Sequence, residues 1–180
     1  MKLFIATDLH GSAYYTERII EKFNKSGSDM LILLGDVYNH GPRNPLPKDY
    51  APMKVAEMLN AIANKIIAVK GNCDSAVDEM ISEFPFVENN VIPLGKRRLF
   101  CTHGHVYNKN HFPMIEEGDV MIYGHFHENH CDVALGVYCI NVSSASLPKD
   151  KSAYCIVDEQ GVTIYDLYDQ VILTQQFDEI

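Results

Sequence analysis

The chain alternates short apolar runs with amphipathic segments through its first two thirds. Five apolar runs have the length of buried strands and are predicted to form them: residues 2–7, 30–35, 66–71, 99–104 and 119–124. Two segments between the first three runs, residues 13–27 and 52–65, carry apolar side chains at helical spacing and are predicted to be helices. Strands that alternate with helices in this way are typical of a parallel sheet covered by helices.

After residue 130 the pattern changes to strand-like segments separated by turns. Apolar residues recur through 132–142 and 152–177, and turn-forming residues interrupt the second segment at 159–161 and 168–170. This pattern predicts consecutive antiparallel strands. We therefore expect one α/β domain spanning residues 1–180, in which a front half of mainly parallel strands meets a meander-like back half.

Composition narrows the function classes without selecting one. Hydrophobic residues make up 47% of the chain and charged residues 22%, as is usual for a soluble globular protein. The formal net charge of −9 argues against general binding of nucleic acid or of an anionic membrane, because both require a basic surface. A small phosphorylated substrate stays compatible, since divalent metal ions in a site reverse the local sign of the charge.

The sequence also predicts the compartment. The apolar run at the amino terminus, residues 3–6, is shorter than the roughly 7–15 residues of a signal-peptide core, and no run approaches the roughly 18 residues of a membrane span. The five cysteines are odd in number and form no C-x-x-C pair. They predict free thiols in a reducing, cytoplasmic compartment, with no disulfide framework.

Polar side chains that can bind metal follow each of the five predicted strands. In chain order they are Asp8 and His10, Asp36, Asn72, His103, and His125 with His127. Ligands of open α/β sheets bind beyond the carboxyl ends of the strands, so we expect these side chains to meet at one edge. His125 and His127 are separated by one residue, and two such side chains on an extended chain point to the same side.

This set of side chains has a metal preference. Carboxylate, amide and imidazole groups without a thiolate suit Mn, Fe, Co, Ni or Zn better than Ca or a structural zinc–cysteine site. Seven candidate ligands are more than one tetrahedral ion needs, and they match two ions about 3.5–4 Å apart that share a bridging carboxylate. Such a pair activates a hydroxide and stabilises an in-line displacement at phosphorus.

Five motifs also occur in the order of a known family. They are "DLH" (8–10), "GDVYNHGPRN" (35–44), "GNCD" (71–74), "THGH" (102–105) and "GHFH" (124–127), and "NVSS" (141–144) follows them. Together they resemble the calcineurin-like metallophosphoesterases, and the second and third are most similar to the small bacterial YfcE-type phosphodiesterases. The resemblance implies a metallo-dependent phosphatase-type α/β sandwich, with two facing β-sheets flanked by helices. It also implies a dinuclear enzyme that hydrolyses phosphodiester bonds by attack of a metal-bridging hydroxide on phosphorus.

The resemblance assigns roles to individual positions. One ion would be held by Asp8, His10, Asp36 and His127, and the other by Asp36, Asn72, His103 and His125, with Asp36 as the bridge. Further candidates within the motifs are Asp36, His103, His105 and Cys73 for catalysis, and Asn39, His40 and Arg43 for substrate binding. The expected cofactor is two divalent ions, manganese first, with Ni, Fe, Zn and Co as alternatives. The expected partners are a small phosphodiester substrate and further copies of the chain.

Two departures from the family pattern and several alternatives stay open. Many relatives have histidine where this chain has Cys73, and a neutral thiol is a poorer acid than imidazole near pH 7. "NVSS" stands where many relatives have an Asn-Pro-Gly-Ser turn. Arg43 and His105 are also compatible with solvated loop residues. At the level of the whole protein, the alternatives are a phosphomonoesterase and a non-catalytic, protein-binding scaffold similar to the retromer subunit of this fold.

Overall fold

The computed structural model describes residues 1–179. Within them lie twelve strands: β1 (Leu3–Ala6), β2 (Met30–Leu33), β3 (Ile66–Val69), β4 (Phe86–Val87), β5 (Asn90–Leu94), β6 (Arg97–Cys101), β7 (Val120–Tyr123), β8 (His130–Ala134), β9 (Val137–Asn141), β10 (Ala153–Val157), β11 (Gly161–Asp166) and β12 (Val171–Gln176). The helices are α1 (Ala13–Ser26), α2 (Pro52–Asn60) and α3 (Ala76–Met80), with a 3₁₀ turn at Ala63–Lys65. Four of the five predicted apolar runs contain a strand, and the run 99–104 overlaps β6, which begins two residues before it; both predicted helical segments contain a helix.

The strands form two sheets. The first has seven strands in the order β12-β11-β10-β1-β2-β3-β4, and the second has five in the order β5-β6-β7-β9-β8. Neighbours from β1 to β4 are parallel, and so are β6 with β7 and β7 with β9. The prediction of parallel strands in the front half is therefore confirmed for both sheets.

The back half of the chain is divided between the sheets. β8 and β9 form an antiparallel hairpin in the second sheet, whereas β10, β11 and β12 form an antiparallel meander in the first. The connection over residues 142–152 carries the chain from one sheet to the other. The expectation of one run of consecutive antiparallel strands was therefore wrong at this connection, although both predicted turns, at 159–161 and 168–170, are present.

Local sequence sets the ends of the helices. The Ser12 hydroxyl caps α1 by accepting the N–H of Tyr15, and Gly27 ends the helix in the left-handed conformation with φ of 67°. α2 ends at Asn60, five residues before its predicted end, and Ala63–Lys65 continue as the 3₁₀ turn. Among residues 1–179, no helix has the length and apolar character that a membrane crossing requires.

The hydrophobic core lies between the sheets and beneath the helices. Along β1, Leu3 and Ile5 point into the layer between the two sheets, while Phe4 and Ala6 point to the layer under α1 and α2. The outer face of the second sheet is covered by an irregular segment that includes Tyr107, Phe112 and Ile115. The predicted α/β fold of two facing sheets with flanking helices is confirmed, with the large helices on the first sheet.

Candidate metal centre

The loops that leave β1 and β2 stay paired with each other beyond the sheet. The amide of Asp8 donates to the carbonyl of Gly35 at 3.0 Å, and the amide of His10 donates to the carbonyl of Asp36 at 2.9 Å. The second sheet approaches the same edge, where the amide of His125 donates to Asp8 Oδ2 at 3.1 Å. Side chains from strands of both sheets are therefore gathered at one edge, as the sequence predicts.

The backbone at this edge is strained. Non-glycine residues at positive φ include Asp8 (54°), His10 (48°), Asp36 (53°), His125 (67°) and His127 (58°), and all five are predicted ligands. A non-glycine residue costs roughly 1–2 kcal/mol in the left-handed region, and such strain concentrates at functional sites. Tight packing and hydrogen bonds must hold these residues in place.

Two motif glycines permit close approach to the carboxylates. A Cβ atom on Gly71 would overlap Oδ1 of Asp36, and one on Gly124 would overlap Oγ1 of Thr7 and lie 2.6 Å from Oδ2 of Asp8. A Cβ atom within 3.0 Å of another heavy atom is almost never found in proteins. Glycine is therefore required at both positions so that the carboxylates can reach the centre of the site.

The first group of candidate ligands contains Asp8, His10 and His127. Oδ1 of Asp8 lies 3.5 Å from Nε2 of His10 and 3.3 Å from Nε2 of His127. The two Nε2 atoms are themselves 3.3 Å apart. One oxygen and two nitrogen atoms thus converge on one point, and the three residues form one of the groups in this structure that could hold a metal ion.

The second group contains Asp36, His103 and Asn72. Nε2 of His103 lies 3.4 Å from Oδ2 of Asp36 and 3.1 Å from Oδ1 of Asn72. Oδ2 of Asp36 is also 4.0 Å from Nε2 of His10, so this carboxylate lies between the two groups. The ring of His125 packs against that of His103, with centroids 5.1 Å apart. Asp8 also approaches Asp36 and His103 closely enough to share a metal ion with them, which the sequence did not predict.

The hydrogen bonds of the imidazole rings define which nitrogen faces the centre. Nδ1 of His10, His103 and His127 each bonds to a backbone carbonyl, those of Asn39 (2.8 Å), Leu34 (2.7 Å) and Leu147 (2.5 Å) respectively. A carbonyl only accepts, so Nδ1 carries the proton and Nε2 of the neutral ring presents a lone pair. Metal-binding histidines are oriented by this same kind of bond.

These lone pairs would repel one another without a cation. Nε2 of His10 faces Nε2 of His127, and both face Oδ1 of Asp8, which is fully buried and accepts no hydrogen bond from residues 1–179. Buried polar atoms are normally satisfied, so an orphaned carboxylate oxygen among acceptor nitrogens indicates a position for positive charge. The residues present therefore fit a divalent ion.

The acidities of the same groups point to the same need. Burial opposes charge on His103, yet the adjacent Asp36 and the nearby Asp8 raise its pKa to about 9. Burial by itself would raise the pKa of Asp8, but the adjacent imidazoles of His10, His127 and His103, which attract the carboxylate when they are protonated, hold it well below its usual range. The cluster thus retains two carboxylates and binds a proton strongly, and a metal ion can supply the same positive charge.

A cavity of about 440 Å³ opens onto the centre. It is lined by Asp36, Gly41, Pro42, Arg43, Asn44, Asn72, Cys73, His125, Phe126, His127 and Lys149. Of the three predicted substrate contacts, Arg43 lines the cavity, whereas Asn39 and His40 do not. The Asn39 side chain accepts the Gly41 amide within its own loop, and the His40 ring packs edge-on against Tyr50 with centroids 5.2 Å apart.

The other two predicted catalytic residues lie beside the candidate ligands. The ring of His105 is 5.4 Å from that of His103 between centroids, and desolvation together with the charge of His103 lowers the pKa of His105. The Cys73 sulfur lies close enough to His10 and Asp36 to join them at a metal ion. Burial and the Asp36 carboxylate raise the pKa of the Cys73 thiol to about 12, so the thiol keeps its proton at neutral pH.

Sequence reasoning missed two buried residues that hold the carboxylates. The Thr7 hydroxyl donates to Oδ2 of Asp8 at 2.6 Å. The Asp74 carboxylate accepts the amides of Asp36, Val37 and Gly71 at 2.7, 2.8 and 2.8 Å, which fixes the loop that carries Asp36. Their only sequence signal was position, because Thr7 precedes "DLH" and Asp74 ends "GNCD".

Comparison with known proteins identifies the class. The family model of the calcineurin-like phosphoesterase superfamily domain matches residues 1–161. The chain therefore belongs to this superfamily, and the prediction of an enzyme of this class is confirmed. Membership of a metallophosphoesterase family implies divalent metal ions, for which the geometry above provides candidate ligands.

Individual relatives refine this placement. The chain is 45% identical over 178 residues to Phosphodiesterase YfcE of Escherichia coli strain K12, a match that covers 97% of each protein. The solved structure of YfcE, described as a phosphoesterase from E. coli, matches with a TM-score of 0.95 at 42% identity, covering 99% of this chain and 100% of that one. Vacuolar Protein Sorting 29 from Cryptosporidium parvum matches with a TM-score of 0.67 at 19% identity, covering 99% and 98%, and at that identity the likeness shows the fold alone.

Proposed function

We propose that this protein is a dinuclear, metal-dependent phosphodiesterase. The observation that carries the proposal is the convergence of Asp8, His10 and His127 with Asp36 and His103, which brings two carboxylates and three oriented imidazoles to one centre. The first ion is assigned to Asp8, His10, Asp36 and His127, and the second to Asp36, Asn72, His103 and His125. Asp36 is assigned as the bridge because its carboxylate lies between His10 and His103.

The two ions, when bound, supply a hydroxide at neutral pH and neutralise charge that develops at phosphorus. The chain's own residues orient these ions and the substrate. Arg43 lines the cavity, and its guanidinium offers paired donors that suit a phosphate oxygen. His105, beside His103, is assigned as a second hydrogen-bond donor to a substrate oxygen. The thiol of Cys73 stays protonated and forms part of the cavity wall next to Asp36.

The preference for diesters rests on the relatives. The similarity to Phosphodiesterase YfcE extends over nearly the whole chain, and no residue spacing separates diesters from monoesters. The mixed oxygen and nitrogen ligands suit Mn, Ni, Fe, Zn and Co alike, and Mn stays the first expectation. A cytoplasmic location stays the expectation, in keeping with five free cysteines, and so does self-association.

The test of the proposal is the bridging carboxylate. Asp36→Asn keeps the shape of the side chain but removes its charge, so we expect loss of at least one bound ion and of turnover of an aryl phosphodiester. The matched control is Asp169→Asn, which makes the same substitution at another left-handed aspartate that bonds Lys22 and Tyr154 in the β11–β12 turn. We expect this control to keep both metal content and activity.

Two outcomes would overturn the proposal in different ways. If Asp36→Asn retains both ions and full turnover, the bridge assignment is wrong. If the unchanged protein binds metal but shows no turnover of aryl diesters or monoesters with Mn, Ni, Co or Zn, the protein is not a phosphoesterase of the proposed kind. A scaffold role would then be the better account.

A further inference from the structure

The connection between β9 and β10 contains three buried serine hydroxyls. Ser143, Ser144 and Ser146 are 0%, 0% and 6% exposed, and none of them is assigned to a metal ion or to the substrate. Buried hydroxyls require hydrogen-bond partners, so the partners identify what these side chains support. We refer to residues 143–149 as the serine loop.

Two of the serines hold the backbone of Asp8. The hydroxyls of Ser144 and Ser146 both donate to the carbonyl oxygen of Asp8, at 2.8 and 3.0 Å. The Ser144 oxygen also accepts the amides of Ser146 and Leu147, at 3.2 and 2.8 Å, so its own position is fixed. Asp8 has a φ of 54°, and relaxation of this strained backbone would have to break both hydroxyl bonds.

The same loop holds both the backbone and the ring of His127. The carbonyl of His127 accepts the Ser143 hydroxyl at 2.8 Å and the Lys149 amide at 3.0 Å. Nδ1 of the ring donates to the carbonyl of Leu147 at 2.5 Å. His127 is also left-handed, with a φ of 58°, so the loop sets its backbone, its tautomer and its ring direction together.

The serine loop acts on one side of the metal centre. Among residues 1–179, its hydrogen bonds reach Asp8 and His127, and none reaches Asp36, Asn72 or His103. The loop that carries Asp36 is held instead by the Asp74 carboxylate, which accepts hydrogen bonds of 2.7–2.8 Å from three backbone amides. The serine loop therefore supports ligands of the first proposed ion position only, whereas Asp74 supports the bridging Asp36, which is assigned to both positions.

We propose that Ser143, Ser144 and Ser146 are positioning residues that set the affinity of one ion position, the one built from Asp8, His10 and His127. This inference rests on the proposed two-ion function. Loss of a residue that orients a metal ligand typically weakens metal binding by about 10- to 100-fold. The effect is selective because His127 belongs only to this position, whereas the other keeps Asp36, Asn72 and His103 in place.

The experiment measures metal binding directly. The full chain, a Ser144→Ala/Ser146→Ala variant and a Ser143→Ala variant are equilibrated with Mn²⁺ at graded, buffered free concentrations, and bound metal is determined by elemental analysis. The matched control is Ser26→Ala, which removes a hydroxyl that donates to the carbonyl of Phe23 at 2.7 Å, at the end of α1. Circular dichroism and thermal unfolding establish that each variant is folded, and Ser143→Ala serves if the double variant is not.

We expect the unchanged protein and Ser26→Ala to bind two ions with the same affinities. The serine-loop variants should bind one ion normally and the other about 10- to 100-fold more weakly. Unchanged binding of both ions in the serine-loop variants would overturn the inference, and so would an equal loss at both positions. Fewer than two ions in the unchanged protein would instead overturn the proposed dinuclear function, and this inference with it.

Discussion

The Thr7 hydroxyl offers a sharp test of how the Asp8 carboxylate is oriented. Thr7 is fully buried and donates to Oδ2 of Asp8 at 2.6 Å, while the second donor to that oxygen is the His125 amide at 3.1 Å. Thr7→Val has the same shape, so it removes the hydroxyl without creating a cavity. The carboxylate then loses the shorter of its two bonds and is free to turn away from His10 and His127.

The magnitude follows from the charge of the acceptor. A hydrogen bond to a charged group contributes about 1.5–3 kcal/mol. Because each 1.4 kcal/mol is a factor of ten in affinity, we expect roughly 10- to 100-fold weaker binding of the ion held by Asp8.

A matched threonine supplies the control. Thr16 is also fully buried, and its hydroxyl donates to the carbonyl of Ser12 at 2.8 Å within α1. Thr16→Val should lower the free energy of unfolding by about 0.5–1.5 kcal/mol and leave metal affinity unchanged. Competition with a chromogenic chelator measures the affinity, and urea unfolding measures the stability. If Thr7→Val loses stability but binds metal as tightly as the unchanged protein, the reasoning is refuted.

Two further predictions concern protons and substrate. With a pKa of about 9 in the folded, metal-free protein and an ordinary value near 6.5, His103 stabilises the fold below pH 6.5, and this contribution is lost as pH rises toward 9. The metal-free protein should therefore melt at lower temperature at pH 9 than at pH 6.5, and metal affinity should rise over the same range because binding displaces the proton; flat profiles would contradict this. Arg43→Met should raise KM for an aryl diester about 10-fold or more while metal content is unchanged, and an unchanged KM would place Arg43 in solvent.

The strands that position the candidate ligands could be predicted from the sequence more accurately than the rest of the fold. Strand ends at Asp8, Asp36 and His103 could be placed because buried strands have short, continuous apolar runs. The division of the back half between two sheets could not be predicted. A hairpin turn and a connection to another sheet both consist of polar residues after a strand, so the sequence does not distinguish them. The short helix Ala76–Met80 lacks enough turns to show a period.

The candidate site was predicted through groups whose chemistry is visible in their type. A cluster of carboxylates and imidazoles indicates metal binding from the residue types alone. A serine or threonine hydroxyl can equally cap a helix, stabilise a turn or hold a metal ligand in place. Thr7 and the serine loop therefore became meaningful only once their donors were seen to end on Asp8 and His127. The predicted substrate contact of Asn39 stays a prediction; in the structure its carbonyl accepts from Nδ1 of His10, and its side chain accepts the Gly41 amide.

The left-handed backbone at the candidate ligands changes how mutagenesis at this edge should be interpreted. Alanine at Asp36 or His127 removes the candidate ligand but keeps the steric cost of a positive φ. Glycine removes both the candidate ligand and that steric cost. An alanine scan would thus blend two effects that a paired alanine and glycine comparison separates. At these positions the glycine variant should have a free energy of unfolding about 1 kcal/mol higher than the alanine variant. In regular helices and strands the order is the reverse.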